Sequence, residues 1–416
     1  MKKIKVGIFG ARRGASMAKV FLNHPDAELT AVCDKYVPAL KQMEKMARES
    51  GKEITTYESF DDFFNHDFDA VVLANYATEH VPYAIRFMAS GRHVLSEVPA
   101  SETMAQAVEL IEAVEKTGKV YAFAENVSYS PVVFEMQRLY ERGDIGEVMY
   151  AEGQYIHDSP DEFTARITYG EKEHWRFRIP PTFYCTHSIG PILTITGRRP
   201  VQVSGFVTNG ADWKNGKPSG IEMVTLDNGS ILRSIHGPLK REPSGCKSLI
   251  YGMKGMMETD RFDNELLHVY REGEKVCQGE FEHYKPGIQI RAGDKQLETG
   301  HGNADLGAPH YFIQRILDRP EGHKYMIDVY TGVAMSICGL LAYRSVLDGN
   351  IPVTVPNLRN KNERDAYRHD HACTTPSVAS DQLLPINPIA ADPLPDEYYE
   401  RIRHLWLQYE QEHPLS

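Results

Sequence analysis

Gly10-Ala11-Arg12-Arg13-Gly14 and Asp34 are residue types whose spacing can hold a dinucleotide. A glycine turn lets the backbone approach a pyrophosphate. The helix that follows offers unpaired N–H groups and a positive dipole end. A carboxylate about twenty residues further on accepts hydrogen bonds from ribose hydroxyls. The full glycine fingerprint would need glycines where this chain has Arg12 and Ala15, with Gly14 standing in. Asp34 would repel a 2′-phosphate and so argues for NAD, while Arg13 and Lys35 leave NADP open. Asn75, Glu97 and Asn126 each follow an apolar run, as polar groups at strand ends should. His187, between Thr186 and Ser188, can move a proton near neutral pH. The alternative is a histidine satisfied by local backbone.

These groups need a scaffold. Lys3–Phe9, Glu28–Cys33, Glu53–Thr56, Asp69–Ala74, His93–Ser96 and Val120–Glu125 read as strands. Helical periodicity fills the intervals, at Ala15–Asn23, Val37–Ser50, Val81–Ala89 and Thr103–Thr117. Such alternation predicts a Rossmann-type, doubly wound parallel sheet (α/β) whose ligand lies at the carboxyl ends of the strands. After Tyr129 the pattern changes. Val148–Ile156, Val201–Val207, Ile221–Leu226, Ser230–His236, Ser248–Gly252 and Leu267–Arg271 are strand-like, with helices at Ile189–Thr196, His310–Leu317 and Val329–Leu347. This predicts an α+β domain on an open-faced, predominantly antiparallel sheet. The expected domains are 1–126 for the cofactor, 127–358 for substrate and oligomerisation, and 359–416 as a proline-rich arm ending in a helix.

The 416 residues, 42% apolar and 25% charged, have the composition of a soluble globular chain. A net charge of −11 argues against a nucleic-acid partner. No continuous apolar run of about 18 residues points to a membrane span, and the basic start runs straight into the first strand rather than a signal peptide. Six scattered cysteines with no C-x-x-C pair fit neither a disulfide framework nor a zinc site, so a reducing cytoplasm is expected. His369-Asp370-His371 lacks a second set with zinc-like spacing, and no metal is expected.

Several stretches together resemble the glucose–fructose oxidoreductase, inositol dehydrogenase and MocA (Gfo/Idh/MocA) family. They are the opening unit, His80, Gly91-Arg92-His93-Val94-Leu95, Glu97-x-Pro99, and Asp328-Val329-Tyr330 through Pro356. The resemblance implies NAD bound by Gly10, Arg12, Arg13, Gly14, Asp34, Asn75, His80, Glu97, Val98 and Asn126. Two departures stand out. Where most of these dehydrogenases carry a lysine, this chain has Val98. Where they carry an aspartate four residues before the catalytic histidine, it has Phe183.

Glu97-Val98-Pro99, Glu125-Asn126-x-x-Tyr129, Tyr184-Cys185-Thr186-His187 and Gly300-His301-Gly302-x-x-Asp305 look instead like the family's NAD-dependent glycosidases, typified by α-N-acetylgalactosaminidases. Cys185 stands where those usually have proline. The subgroup's chemistry is redox-neutral: transient oxidation at the sugar's C3, loss of the C2 proton and the C1 substituent, hydration, and return of the hydride. The resemblance implies His187, Tyr184 and Tyr129 as proton-transfer or sugar-contacting groups. It implies Trp175, Arg178, His301 and Asp305 as sugar contacts, with interface packing the alternative for Trp175. A net sugar or cyclitol dehydrogenase and a non-catalytic cofactor-binding protein remain the other readings. The expected partners are a small carbohydrate and further copies of this chain in a homo-dimer or homo-tetramer.

Overall fold

Alternating buried strands and amphipathic helices build the first part of the chain. The computed structural model describes residues 3–208, 218–240, 244–273, 278–287, 304–388 and 394–413. In order come β1 (Ile4–Phe9), α1 (Ala11–Asn23), β2 (Ala27–Cys33), α2 (Val37–Glu49), β3 (Thr55–Tyr57), α3 (Phe60–Phe64) and β4 (Ala70–Leu73). Then follow α4 (His80–Ala89), β5 (His93–Ser96), α5 (Met104–Thr117) and β6 (Tyr121–Phe123). The six strands pair in parallel in the order β3-β2-β1-β4-β5-β6. β4 is inaccessible at every position, as a strand covered on both faces must be. Sequence order reverses between β1 and β4, which makes their carboxyl ends the switch point where such sheets bind ligands. α5 starts at the Thr103 cap, whose side chain accepts from the Gln106 N–H, and stops at left-handed Gly118.

The second part is built on β7 (Val148–Ile156), preceded by α6 (Pro131–Arg142) and followed by α7 (Asp161–Thr168) and α8 (Thr186–Thr196). The other strands are β8 (Pro200–Val207), β9 (Gly220–Leu226), β10 (Ile231–Gly237), β11 (Gly245–Gly252), β12 (Gly255–Thr259), β13 (Leu267–Glu272), β14 (Gly279–Tyr284) and, later, β15 (Val353–Thr354). Between the last two lie α9 (Gly307–Ile316), α10 (Pro320–Tyr325) and α11 (Val329–Leu347). After β15 come α12 (Lys361–Arg364), α13 (Pro376–Ala379) and α14 (Asp396–Glu412).

The nine-stranded sheet runs β14-β13-β12-β11-β7-β10-β9-β8-β15, antiparallel apart from the β7–β10 pair. One face carries α8, which lies so close to β7 that a Cβ at Gly153 would sit 1.8 Å from the Ser188 carbonyl oxygen. The opposite face leaves Phe206, Tyr251 and Phe281 exposed. The open-faced, predominantly antiparallel sheet is therefore as expected.

Two compact units emerge: residues 3–130 with 304–333, and residues 131–287 with 334–413. The break thus falls slightly beyond Asn126, and a segment assigned by sequence to the second domain returns to the first. Phe123 N–H donates to the Ile327 carbonyl (2.9 Å), and α9 packs on α1, β5 and β6. The C-terminal arm belongs to the second unit. α14 packs on α7, Asp370 pairs with Arg344 (2.5 and 2.6 Å), and buried Arg364 donates to the Leu358 carbonyl (2.7 Å).

Elements that the sequence reading missed include α7, β12 and β14. α8 starts at Thr186 rather than Ile189, which places His187 in its first turn. The stretch Pro320–Leu347 reaches a mean hydropathy of 1.5, high enough for a membrane span by composition, yet 67% of that window is buried in the chain. It is core. Among the described residues no cysteine is bridged and no cluster of metal ligands forms.

Candidate functional site

The turn after β1 is shaped for close approach. Gly10 has φ +103°, and a Cβ there would meet the Ala74 carbonyl at 2.3 Å. Gly14 takes the place of the fingerprint's packing glycine: a Cβ would lie 2.4 Å from Ile8 Cγ2, so it lets α1 settle on β1. Asp34, at the end of β2, accepts from Ala11 N–H (2.7 Å) and Tyr36 N–H (2.9 Å). Its charge therefore stands at the positive end of α1. Arg12 is exposed on the same turn.

The two cations that left NADP open are both engaged elsewhere. Lys35 donates to the Tyr76 hydroxyl (3.0 Å) and lies over its ring. Arg13 reaches across the switch point. Its Nη1 and Nη2 grip Asp305 (3.1 and 2.8 Å), and its Nε pairs with Glu97 Oε1 (2.7 Å). Asn126 Nδ2 donates to the same Asp305 Oδ1 (2.9 Å). Because β4 lies between β1 and β5, the link from the first turn of α1 to Glu97 passes over the carboxyl end of β4. Asp305, expected to touch sugar, has no exposed side-chain surface and joins Arg13 to Asn126 instead.

The other strand-end residues divide by role. Asn75 Oδ1 and Asn126 Oδ1 are buried with no hydrogen-bond partner among the described residues. Acceptors left open at the carboxyl ends of β4 and β6, beside a turn that only glycine can make, are what a dinucleotide's hydroxyls and carboxamide would satisfy. The residues present fit NAD. Val98 is buried and carries no proton to transfer. His80 packs Nδ1 against the Pro99 carbonyl (3.3 Å), and burial pushes its imidazole down to about 4, so it is neutral. It ties α4 to the Val98–Pro99 turn, whose peptide is cis. Tyr129 is also committed. Its fully buried hydroxyl accepts from Ile327 N–H (3.0 Å), its ring stacks on Tyr311, and burial raises its phenol far above the usual range. That placement is a packing role for the returning segment, in place of the expected proton transfer.

In the second unit the aromatic and imidazole groups converge. His187 lies edge-on to Tyr155 (4.6 Å between ring centres) and to Tyr184 (5.1 Å). Tyr155 meets His157 (5.2 Å), and Tyr184 stacks on Trp175 (6.3 Å). Burial, reinforced by Arg176 and His187, lowers the His157 pKa. Beneath His187 the first turn of α8 is anchored by a buried polar chain. Ser188 Oγ donates to the Cys185 carbonyl (2.8 Å) and meets Ser234 Oγ (2.7 Å), while Glu222 accepts from Ser234 (2.5 Å) and lies 2.9 Å from His236 Nε2. Cys185, the departure from the glycosidase motif, is buried under α11, where Gly339 comes close enough that a Cβ would stand 3.0 Å from its Sγ.

The sequence reading singled out Trp175 and Arg178. Trp175 is buried, and the Arg176 guanidinium covers its ring at 4.3 Å. Arg178 is ion-paired to Glu173. His301 lies outside the described residues. Tyr155 and His157 were missed, although they alternate at the end of a strand whose limits were read correctly; that alternation puts both on the α8 side.

Residues 4–125 match the Gfo/Idh/MocA model, described as an oxidoreductase family with an NAD-binding Rossmann fold. This region is a Gfo/Idh/MocA NAD-binding domain. Relatives over most of the chain include a glycosyl hydrolase family 109 protein of Saccharopolyspora erythraea, 26% identical over 386 residues and spanning 85% of this chain and 83% of that protein. Another, from a Shewanella species, is 23% identical over 408 residues, spanning 89% and 87%. Among solved structures, levoglucosan dehydrogenase in complex with NADH and L-sorbose superposes with a TM-score of 0.68 at 18% identity, covering 86% of this chain and 100% of that one. Myo-inositol 2-dehydrogenase of Lactobacillus plantarum gives 0.65 at 20% identity, covering 85% and 100%. These two structures share this chain's fold through the second unit as well as the first.

Proposed function

We propose that this Gfo/Idh/MocA protein is an NAD-dependent carbohydrate enzyme, and that it works as a redox-neutral glycosidase. The observation that carries the reading is the His187–Tyr184–Tyr155 cluster at the anchored first turn of α8, together with the identity of residue 98, a valine and not a lysine. With no lysine at that turn, proton transfer falls to an imidazole and phenols. The relatives named glycosyl hydrolase family 109 support the glycosidase reading over a net dehydrogenase.

NAD, when bound, would supply the hydride acceptor, and afterwards the hydride donor, for one sugar carbon. Gly10 and the N-terminus of α1 would hold its pyrophosphate, Asp34 a ribose, and Asn75 and Asn126 the remaining polar edges. His187 accepts the proton of the hydroxyl being oxidised and gives it back on re-reduction. The C3 ketone acidifies the C2 proton; as that proton passes to solvent the C1–O bond breaks, the Tyr184 hydroxyl protonates the departing aglycone oxygen and regains its proton from the water that adds next, and solvent returns the proton to C2. Tyr155 packs the imidazole in place. Water then adds at the anomeric carbon, so the net change is hydrolysis alone. The exposed Phe206, Tyr251 and Phe281 on the open sheet face support a homo-oligomer, and the buried thiols of Cys33, Cys185 and Cys338 support a reducing, cytoplasmic setting.

The test incubates the protein and NAD with α- and β-aryl glycosides and records aglycone and NADH together. Aglycone without net NADH is expected. NADH accumulating without aglycone would convert the assignment to a dehydrogenase. Silence in both, from protein that still binds NAD, would favour a non-catalytic binder.

A further inference from the structure

The chain between β7 and α8 contains no strand, yet both sides of the His187 cluster lean on it. The short helix Trp175–Phe177 brings Trp175 against Tyr184, and Phe163 of α7 stands edge-on to His157 (5.4 Å between ring centres). The backbone hydrogen bonds of residues 158–178 join near neighbours within that stretch. A segment held by local bonds opens at low cost in free energy unless other groups bury it.

The element that buries this one is α14, from the far end of the chain. Tyr398, Ile402 and Trp406 recur at four-residue spacing and form its buried face. α7 is the element against which that helix packs. The fit is close: Gly170 has φ +61°, and a Cβ there would stand 2.8 Å from Arg403 Cα and 3.0 Å from Trp406 Cβ. Trp406 meets Tyr169 edge-on (5.4 Å), and Phe177 meets Tyr399 edge-on (5.3 Å). Ion pairs of Lys172 with Asp396 (2.6 Å) and of Arg401 with Asp161 (2.8 Å) fix the register, though such exposed pairs add little energy. Two lines of contact therefore run from α14 to His187. One passes through Phe177, the short helix, Trp175 and Tyr184. The other passes from Tyr409 through Arg166, Phe163, His157 and Tyr155.

We propose that α14 is a positioning strap for the sugar side of the site. By burying α7 and the short helix it holds residues 157–178 in the one conformation that backs Tyr184, His157 and, through them, His187. The claim about sugar affinity rests on the carbohydrate reading above; the claim about order in the segment does not. A site that is competent only part of the time binds more weakly in proportion, while saturating ligand restores the competent form. Loosening the strap should therefore raise KM and spare kcat.

The experiment uses the full-length protein with NAD. Hydrogen exchange is read first, without sugar, followed by NAD titration and by KM and kcat on the best aryl glycoside. In Trp406→Ala, residues 158–178 should lose most of their protection while β7 to β11 keep theirs. KM should rise by about tenfold, with kcat and NAD affinity within about twofold. Trp406→Phe should restore most of the difference, and Leu407→Ala, on the exposed face of α14, should change nothing. Tyr399→Ala trims one half-buried ring at the other end of the helix. It should give a smaller effect of the same kind, and it carries the test if Trp406→Ala does not fold.

Unchanged exchange in residues 158–178 overturns the proposal. So does a rise spread equally over the whole chain, or a loosened segment with KM unchanged. A loosened segment in a protein that turns over no glycoside leaves the strap standing and removes the carbohydrate reading.

Discussion

Arg13 and Arg176 occupy opposite electrostatic situations. Arg13, in the first turn of α1, is held by two carboxylates and, through Asp305, by Asn126. Arg176 has aromatic faces and no carboxylate among the described residues. The first region pairs its arginine internally and leaves the Asn75 and Asn126 side-chain oxygens without a partner among the described residues. The second sets a guanidinium over aromatic rings beside His187 and Tyr155. A cofactor site that must be rigid and reusable is served by internal satisfaction.

The comparison breaks most sharply at His187. His187→Ala should lower kcat/KM on the best glycoside by a factor on the order of 10²–10⁴, the usual contribution of one acid–base group, while NAD affinity stays within about twofold. Aglycone assays with NAD titrated by fluorescence would show it. An unchanged kcat/KM would remove His187 from the chemistry.

In the first region the largest effect should come from charge. Asp305→Ala leaves Arg13 with one of its two carboxylates, Glu97, and deprives Asn126 Nδ2 of its Asp305 acceptor. A broken buried pair costs roughly 3–5 kcal/mol, and the partial exposure of Arg13 should reduce this to about 2–3 kcal/mol. Urea unfolding measures it. A loss below about 1 kcal/mol would show that the tie between α1 and the returning segment contributes little.

Acid should also single out the first region. Burial lowers His24, His80 and His93 each to about 4. The unfolded chain protonates such groups near 6.5, the folded chain only near 4. Stability is therefore complete above about 6.5 and declines as pH falls toward 4, by at most about 1.4 kcal/mol per pH unit for a fully buried group such as His80. Melting curves between those limits should fall steadily, and His80→Gln should flatten them.

The smallest effect expected is at Asp34. Asp34→Ala removes the acceptor for Ala11 N–H and should cost about 1 kcal/mol of stability. It should also weaken NAD by about tenfold or more while narrowing the NAD-to-NADP preference. Paired titrations with both dinucleotides would test this. An unchanged preference would mean that the carboxylate only caps α1.

Much of the cofactor region was legible because its signals are local. A buried strand, a glycine turn, a helix and a terminal acid follow one another within a few dozen residues. The β7 limits were legible too, since Gly143-Asp144-Ile145-Gly146 marks a turn just before Val148. α7 could have been read from Pro160 followed by Asp161 and Glu162, which mark a helix start. β14 could not: all but one of its residues are exposed, so burial imposes little pattern on it.

Residue types and short-range spacing by themselves determined the parallel sheet, the glycine turn, the acid at the end of β2 and the absence of a lysine at position 98. Those follow from steric and periodic rules that act over a few residues. Tertiary structure decided which polar side chains meet. Arg13 finds Asp305 across 292 residues of sequence. Tyr129 spends its hydroxyl on Ile327, 198 residues away. The cation at the aromatic cluster is Arg176 rather than its neighbour Arg178. No local rule ranks two arginines two residues apart; the short helix at Trp175–Phe177 buries its outer rings and thereby selects the side chain between them.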